Sequence, residues 1–146
     1  MISYKKGDLF EGNIDLIAHG VNCKGAFGSG VAAQMCKKHP NARQSYIDKH
    51  NNEGWKLGDV QFVSSNGKIV ANCATQDHFF PRDRVHADYN AIKVCMTQVK
   101  EYAKLRNLSV GLPKIGAGLA GGNWAVIEMI LNDVFQDYDC TVFYLE

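Results

Sequence analysis

The sequence has no apolar run approaching the roughly 20 residues that a membrane-spanning helix needs. Its opening residues, Met1-Ile2-Ser3-Tyr4-Lys5-Lys6, contain no apolar core of a secretion signal, so a cytoplasmic chain is expected. Charge of one sign is scarce. Sixteen Lys and Arg against fifteen Asp and Glu leave a net charge of +1. That excludes a broad basic face for wrapping a nucleic-acid backbone and leaves room only for a small basic patch. The five cysteines (Cys23, Cys36, Cys73, Cys95 and Cys140) are odd in number and form no C-x-x-C pair, so reduced thiols are expected. Cys73, Cys95 and Cys140 sit in apolar context and read as core. Cys23 has no identifiable partner that would activate it as a nucleophile. His19, His39, His50, His78 and His86 show no zinc spacing with one another or with the cysteines, and no carboxylate cluster suggests another metal. There is no repeat, low-complexity tract or linker, and one domain over 1–146 is expected.

What the chain does have is an ordinary globular balance, 46% hydrophobic and 21% charged residues, in alternating strand-like and helix-like segments. Ile2–Lys5, Asp15–His19, Val60–Ser64, Ile69–Ala74, Ser109–Pro113 and Thr141–Leu145 are short, β-branched or aromatic, and bounded by turn residues, as strands are. Helical spacing appears at Val31, Met35 and Cys36. A helix is expected over Ala42–His50. An apolar stripe runs through Val85, Tyr89, Ile92, Cys95 or Met96, Val99 and Tyr102, and another through Trp124, Ile127, Leu131, Val134 and Phe135. Asn51-Asn52-Glu53-Gly54 reads as a turn, and Ser65-Asn66-Gly67 as the tip of a hairpin. Alternation of this kind predicts an α/β fold whose mostly parallel sheet is covered on both faces, made mixed by the hairpin.

Two glycine-rich turns stand at strand ends in this scheme, Gly28-Ser29-Gly30-Val31-Ala32-Ala33 and Gly116-Ala117-Gly118-Leu119-Ala120-Gly121. Glycine lets backbone N–H groups approach an anion, and a following helix N-terminus adds partial positive charge. Two such turns suggest two walls around one phosphorylated, nucleotide-type ligand. The first fits G-x-G-x-x-A, but the acidic residue expected about 20 positions on, at a strand end, is missing, which disfavours a dinucleotide fold. No G-K-[ST] follows either turn, which disfavours a Walker-type NTPase.

Four segments together resemble the macrodomain family of ADP-ribose-binding modules. They are Lys6-Gly7-Asp8-Leu9, the stretch from Ala18-His19-Gly20-Val21-Asn22 through Gly28-Ser29-Gly30-Val31-Ala32, Asn72-Cys73-Ala74-Thr75-Gln76, and Pro113-Lys114-Ile115-Gly116-Ala117-Gly118-Leu119-Ala120-Gly121-Gly122-Asn123-Trp124. They occur in the family's order along nearly the whole chain, and the likeness is greatest to the small stand-alone ADP-ribose 1''-phosphate phosphatases. The resemblance implies a three-layer α/β/α sandwich with a six-stranded mixed sheet. It implies ADP-ribose or ADP-ribose 1''-phosphate as the small-molecule ligand, with no cofactor and no metal needed. The composition predicts no membrane partner and disfavours a nucleic-acid partner, and a monomer is expected. The implied reaction is hydrolysis of ADP-ribose 1''-phosphate to ADP-ribose and phosphate. Hydrolysis of ADP-ribosyl groups on protein or nucleic acid, or binding without chemistry, remain the alternatives.

The same resemblance assigns residues. Asp8 would accept from the adenine amine, with the Leu9 N–H beside it. Val21 would line the site. Gly28, Ser29, Gly30 and Val31 would hold one side of the diphosphate, and Gly116, Ala117, Gly118, Leu119 and Ala120 the other. Asn22 would bond the distal ribose, Phe27 would press on it, Gln76 would flank it, and Tyr144 would stand on the adenine side. His19 would be catalytic with Asn22, since a histidine can move a proton near neutral pH. Asp77 and His78 are alternative bases, and Phe79 or Phe80 would cover the site. These positions also have ordinary uses: a cap for Asp8, a closed turn for Asn22, a core position for His19, a solvated loop for Asp77 and His78, packing for Tyr144. Relatives that use a lysine–aspartate route carry a lysine after N-x-x-T and an aspartate in the second loop. Gln76 and Ala120 stand there instead, which argues against that route.

Overall fold

The computed structural model describes residues 1–27, 31–78, 85–117 and 120–145. Its strands are β1 (Ile2–Lys6), β2 (Leu16–Asn22), β3 (Val60–Ser65), β4 (Lys68–Gln76), β5 (Val110–Leu112) and β6 (Cys140–Tyr144). Its helices are α1 (Val31–Lys38), α2 (Pro40–Asn52), α3 (Tyr89–Arg106) and α4 (Trp124–Val134), and a short 3-10 turn covers Leu9–Glu11. The strands form one six-stranded sheet in the order β1-β6-β5-β2-β4-β3. Every neighbouring pair is parallel except β3–β4, the expected hairpin. Asn66 and Gly67 at its tip have φ of 50° and 78°, the left-handed pair that a two-residue turn requires. Because the other strands are parallel, β1, β6, β5, β2 and β4 all end on one edge. This is the α/β fold the alternation predicted, with a six-stranded mixed sheet and four helices among the described residues.

Alternating side chains send each face of the sheet to a different layer. Leu16 and Ala18 of β2 join Ile92, Cys95, Met96 and Val99 of α3 and Ile127 and Leu131 of α4 in the main core. Ile17 of β2 faces the other way, toward Met35 of α1, Ala42 of α2, Val70 and Phe143. Val21 and Ala74 meet Tyr46 of α2 and Trp55 in a third cluster nearer the strand ends.

Several expected boundaries move, each for a local reason. Helix α3 begins at Tyr89 because Asp88 caps it, accepting from the Ala91 N–H at 2.8 Å; Val85 lies outside and is 61% exposed rather than on the buried stripe. Asn51 and Asn52 complete α2, and Gly54, with φ of 83°, ends it by bonding back to the Lys49 carbonyl. Strand β2 continues past His19 through Gly20 to Asn22. At Gly20 the Thr75 hydroxyl occupies the space where a Cβ would stand, so the glycine admits a neighbour instead of breaking the strand. Among the described residues no helix is long and apolar enough to cross a membrane.

Candidate functional site

At the shared carboxyl edge the chain leaves β1, β2, β4, β5 and β6 in adjacent loops, where ligands bind in open α/β sheets. A cavity of about 290 Å³ opens there at the β1–β6 end. Asp8, Leu9 and Phe10 form one wall, Val31 and Gln34 of α1 a second, and Lys114, Phe143 and Tyr144 a third. Asp8 does cap the 3-10 turn: its Oδ1 accepts from the Phe10 N–H at 2.9 Å. One carboxylate oxygen is thereby spoken for, and a carboxylate has acceptor capacity to spare. The Gly7 N–H bonds the Tyr144 carbonyl at 2.8 Å, which fixes the first wall against the third. Lys114 places its Nζ 5.8 Å from the Trp124 ring and 5.9 Å from the Tyr144 ring, a cation held at the cavity rim by aromatic faces.

The loop leaving β2 is closed on itself. Asn22 Oδ1 accepts from the backbone N–H groups of Lys24 (2.9 Å) and Ala26 (3.3 Å), and Asn22 Nδ2 donates to the Ala26 carbonyl at 2.7 Å. The turn-closing use of Asn22 is therefore realised, and among the described residues Nδ2 makes only this one bond. Below this loop, Tyr46 of α2 donates toward the Asn22 carbonyl at 2.8 Å and accepts from the Gly25 N–H at 3.0 Å. Phe27 turns inward, edge-on to His19 (centroids 5.5 Å apart) and tilted against Tyr46 (5.2 Å). Val21 is buried in the third cluster, so only its backbone can line the edge. Gly28, Ser29 and Gly30 lie outside the described residues, while Val31 opens α1 at the cavity.

His19 is 1% exposed, and its Nε2 lies 2.6 Å from Asn72 Oδ1 on β4. Asn72 Nδ2 donates to the Ala42 carbonyl and to Gln61 Oε1, so Oδ1 is its acceptor and His19 carries the proton on Nε2. Burial pushes the His19 pKa down to about 4, only partly offset by the Asn72 bond. The ring is neutral at physiological pH and walled off from solvent. The expected proton exchange near neutrality does not suit this environment. Cys23 is likewise unsuited to attack: burial, then the nearby carboxylates of Asp77 and Asp59, push its thiol up to about 11.

The loop leaving β5 folds on its own backbone. Ile115 N–H bonds the Pro113 carbonyl (2.7 Å), Ala117 N–H the Lys114 carbonyl (3.2 Å) and Gly122 N–H the Gly116 carbonyl (2.8 Å). Gly116 has φ of 79°, and a Cβ there would meet Ile92 and Ile127 at 2.8 and 2.9 Å. The Ala120 carbonyl accepts from His86 and Ala87, tying this loop to the segment before α3. Gly118 and Leu119 lie outside the described residues. On the far side, Gln76 ends β4 and donates to the His78 carbonyl at 2.7 Å. Cys23 N–H bonds the Asp77 carbonyl at 3.1 Å, and Lys24 pairs with the Asp77 carboxylate at 3.6 Å, which brings the β2 and β4 loops side by side. Phe79 and Phe80 lie outside the described residues.

The structure thus gathers Asp8, Leu9, Val31 and Tyr144 at one cavity, and sets Asn22, Phe27 and Gln76 in the β2 and β4 loops toward the other end of the edge. Sequence reasoning missed Phe10, Gln34, Lys114 as a lining residue, and Phe143, which come from four separate segments and share no motif. A larger cavity, about 610 Å³, opens at the opposite ends of the strands around Asp15, Asn107 and Tyr138. It is remote from the carboxyl-edge loops, so size does not make it the site. Among the described residues no group of three or more His, Cys, Asp and Glu is placed to hold a metal.

A family model, Macro domain, matches residues 18–131. An uncharacterized 17.5 kDa protein of Enterobacteria phage T4 is 34% identical over 90% of this chain and 88% of its own length. An ADP-ribose 1''-phosphate phosphatase of Candida albicans is 29% identical over 91% of this chain and 93% of its own. A DNA ADP-ribosyl glycohydrolase of Mycobacterium tuberculosis is 27% identical over 98% of this chain, which spans only 42% of that protein. Among solved structures, a macrodomain protein from Streptomyces coelicolor superposes with a TM-score of 0.84 at 29% identity, over 99% of both chains.

Proposed function

The chain belongs to the macrodomain family, and from that premise we propose that it binds ADP-ribose along the carboxyl edge and hydrolyses ADP-ribose 1''-phosphate to ADP-ribose and phosphate. The observation that supports the reading is the Asp8 cavity, which opens on the strand edge from which the loops after β2 and β5 also leave. Adenine fills the cavity, and the free acceptor capacity of Asp8 selects its amine. The diphosphate lies between the start of α1, with Gly28, Ser29, Gly30 and Val31, and the second loop, with Gly116, Ala117, Gly118, Leu119 and Ala120. Glycine-rich turns of this kind suit an anion because their backbone N–H groups can approach it closely. The distal ribose reaches the β2 and β4 loops, where Asn22 Nδ2 orients it.

Water attacks phosphorus, the bond between phosphorus and the ribose-side oxygen breaks, and phosphate leaves while ADP-ribose gains the proton. Orientation and preorganised donors supply most of the acceleration. In this scheme His19 is a neutral buttress for Phe27 and the site floor, and Asp77 and His78, beside the distal end, are the groups to test for proton transfer. Near-complete mutual coverage with a stand-alone phosphatase supports this reading over the glycohydrolase one, and Gln76 offers no amine for a lysine-linked intermediate.

A phosphorus NMR time course of ADP-ribose 1''-phosphate with the protein tests it. Growth of inorganic phosphate is expected. Perturbed diphosphate signals without new phosphate would replace hydrolysis by binding alone or by action on a larger ADP-ribosylated substrate. Unchanged spectra at high protein concentration would remove the ligand.

A further inference from the structure

We infer that Tyr46 is a positioning residue for the distal half of the ligand: its phenol holds the loop 22–27 in the shape that receives the distal ribose, and so sets the preference for ADP-ribose over ADP. The inference rests on the ligand reading above. Tyr46 lies on α2 with no exposed surface. Its oxygen is the meeting point of the loop: it accepts from Gly25 N–H at 3.0 Å and donates toward the Asn22 carbonyl at 2.8 Å, with Asn22 Oδ1 at 3.0 Å and the Ala26 carbonyl at 3.5 Å. A phenol has one proton and two lone pairs, and here the proton and one lone pair are both given to the loop. Burial raises its pKa to about 12, which keeps the proton on and the donor intact.

The ring itself is locked. Phe27 and Trp55 each pack 5.2 Å from it, Trp55 Nε1 donates to the Tyr46 carbonyl at 3.1 Å, and Lys49 Nζ stands 4.9 Å from the Trp55 ring. One turn further along α2, the His50 ring lies against Gly25, where a Cβ would approach it to 2.7 Å. Two positions of one helix face, 46 and 50, therefore set the height of the loop. The adenine cavity takes lining from neither α2 nor the loop 22–27. The phenol acts on residues 22–27, which the adenine cavity does not use.

The test compares the dissociation constants of ADP-ribose and ADP, by titration calorimetry, in the wild type and in Tyr46→Phe, alongside thermal unfolding. The ring stays in place and only the hydroxyl goes. ADP-ribose is expected to weaken on the order of tenfold, the worth of one or two buried hydrogen bonds, while ADP stays within about twofold, since it lacks the group the loop receives. Gly25→Ala, which pushes the loop off His50, strains a φ of 84° and so loosens the Gly25–Tyr46 bond with the phenol itself intact, is expected to give the same split, and it carries the test if Tyr46→Phe does not fold. Equal weakening of both ligands, as a purely structural role would give, or no weakening of either, would overturn the inference and leave the ligand reading standing. Failure of the wild type to bind either nucleotide would instead overturn the ligand reading, and this inference with it.

Discussion

With Nε2 on Asn72 and no hydrogen-bond partner for Nδ1 among the described residues, His19 is a base that folding has made hard to protonate. Its folded pKa, about 4, lies below the roughly 6.5 of the unfolded chain. Between these values the unfolded state binds a proton that the folded state refuses, so stability rises with pH across that window. The contribution is complete above about pH 6.5 and is lost as pH falls toward 4, up to about 3 kcal/mol in all. Urea unfolding at pH 7 and pH 4.5 should record a large loss in the wild type. His19→Gln, whose amide can still donate to Asn72 without titrating, should record a smaller one. Equal losses in both proteins would mean that His19 does not titrate as its burial requires. Because the ring stays neutral, the same substitution should leave the acid limb of any pH–rate profile in place.

At the scale of the element, the two loops divide the labour. In the proposed binding mode the loop leaving β5 would meet the diphosphate, which ADP and ADP-ribose share, and residues 22–27 after β2 would meet the distal ribose, which only ADP-ribose has. Gly122→Ala would drive a Cβ into the Gly116 carbonyl, a backbone atom that cannot step aside, and Gly116→Ala would force φ of 79° on an L side chain between Ile92 and Ile127. Each should cost about 1–3 kcal/mol of stability in thermal unfolding. Each should also weaken ADP and ADP-ribose in parallel, unlike Tyr46→Phe. A loss confined to ADP-ribose would move this loop to the distal end.

The same elements mark what sequence could tell. The strands expected at Val60–Ser64 and Thr141–Leu145 are found at Val60–Ser65 and Cys140–Tyr144, legible because β-branched and aromatic residues are concentrated there. The last residues of β2 were not. Gly20 and Asn22 carry turn chemistry, and only the Thr75 hydroxyl over Gly20 and the parallel pairing to β4 keep them in the sheet. The motif-bearing residues Asp8, Leu9 and Val31 converge as their order suggested. Tyr46 escaped notice because its importance comes from contacts across the chain, and Lys114, though inside a recognised motif, had no role legible there until the fold set it beside Trp124 and Tyr144.

For the whole molecule, the asymmetry of the two layers matters most. The face covered by α3 and α4 carries one continuous core, from Leu16 and Ala18 through Met96 and Val99 to Leu131 and Phe135. The face covered by α1 and α2 is split into two smaller clusters, and α1 buries only Met35. Local opening follows the density of buried apolar contact, so the layer that carries α1 and the residues 22–27 of the proposed distal end is also the weaker one. The sheet edge at β1 is exposed and bears Lys5 and Lys6, which discourages pairing with a second copy; a monomer by light scattering is the expected state.

Native-state hydrogen exchange should then find amides of α1 and of the loop 22–27 exchanging by local opening, well before the central turns of α3, which should exchange only with global unfolding. Adding ADP-ribose should slow α1 and the loop far more than α3, because binding can protect only what opens below the global limit. If α1 proved as protected as α3 in the free protein, the weaker-layer argument would fail. If ADP-ribose instead protected the segments around Asp15 and Asn107, the ligand would sit in the larger cavity at the opposite ends of the strands, and the site would have to be moved there.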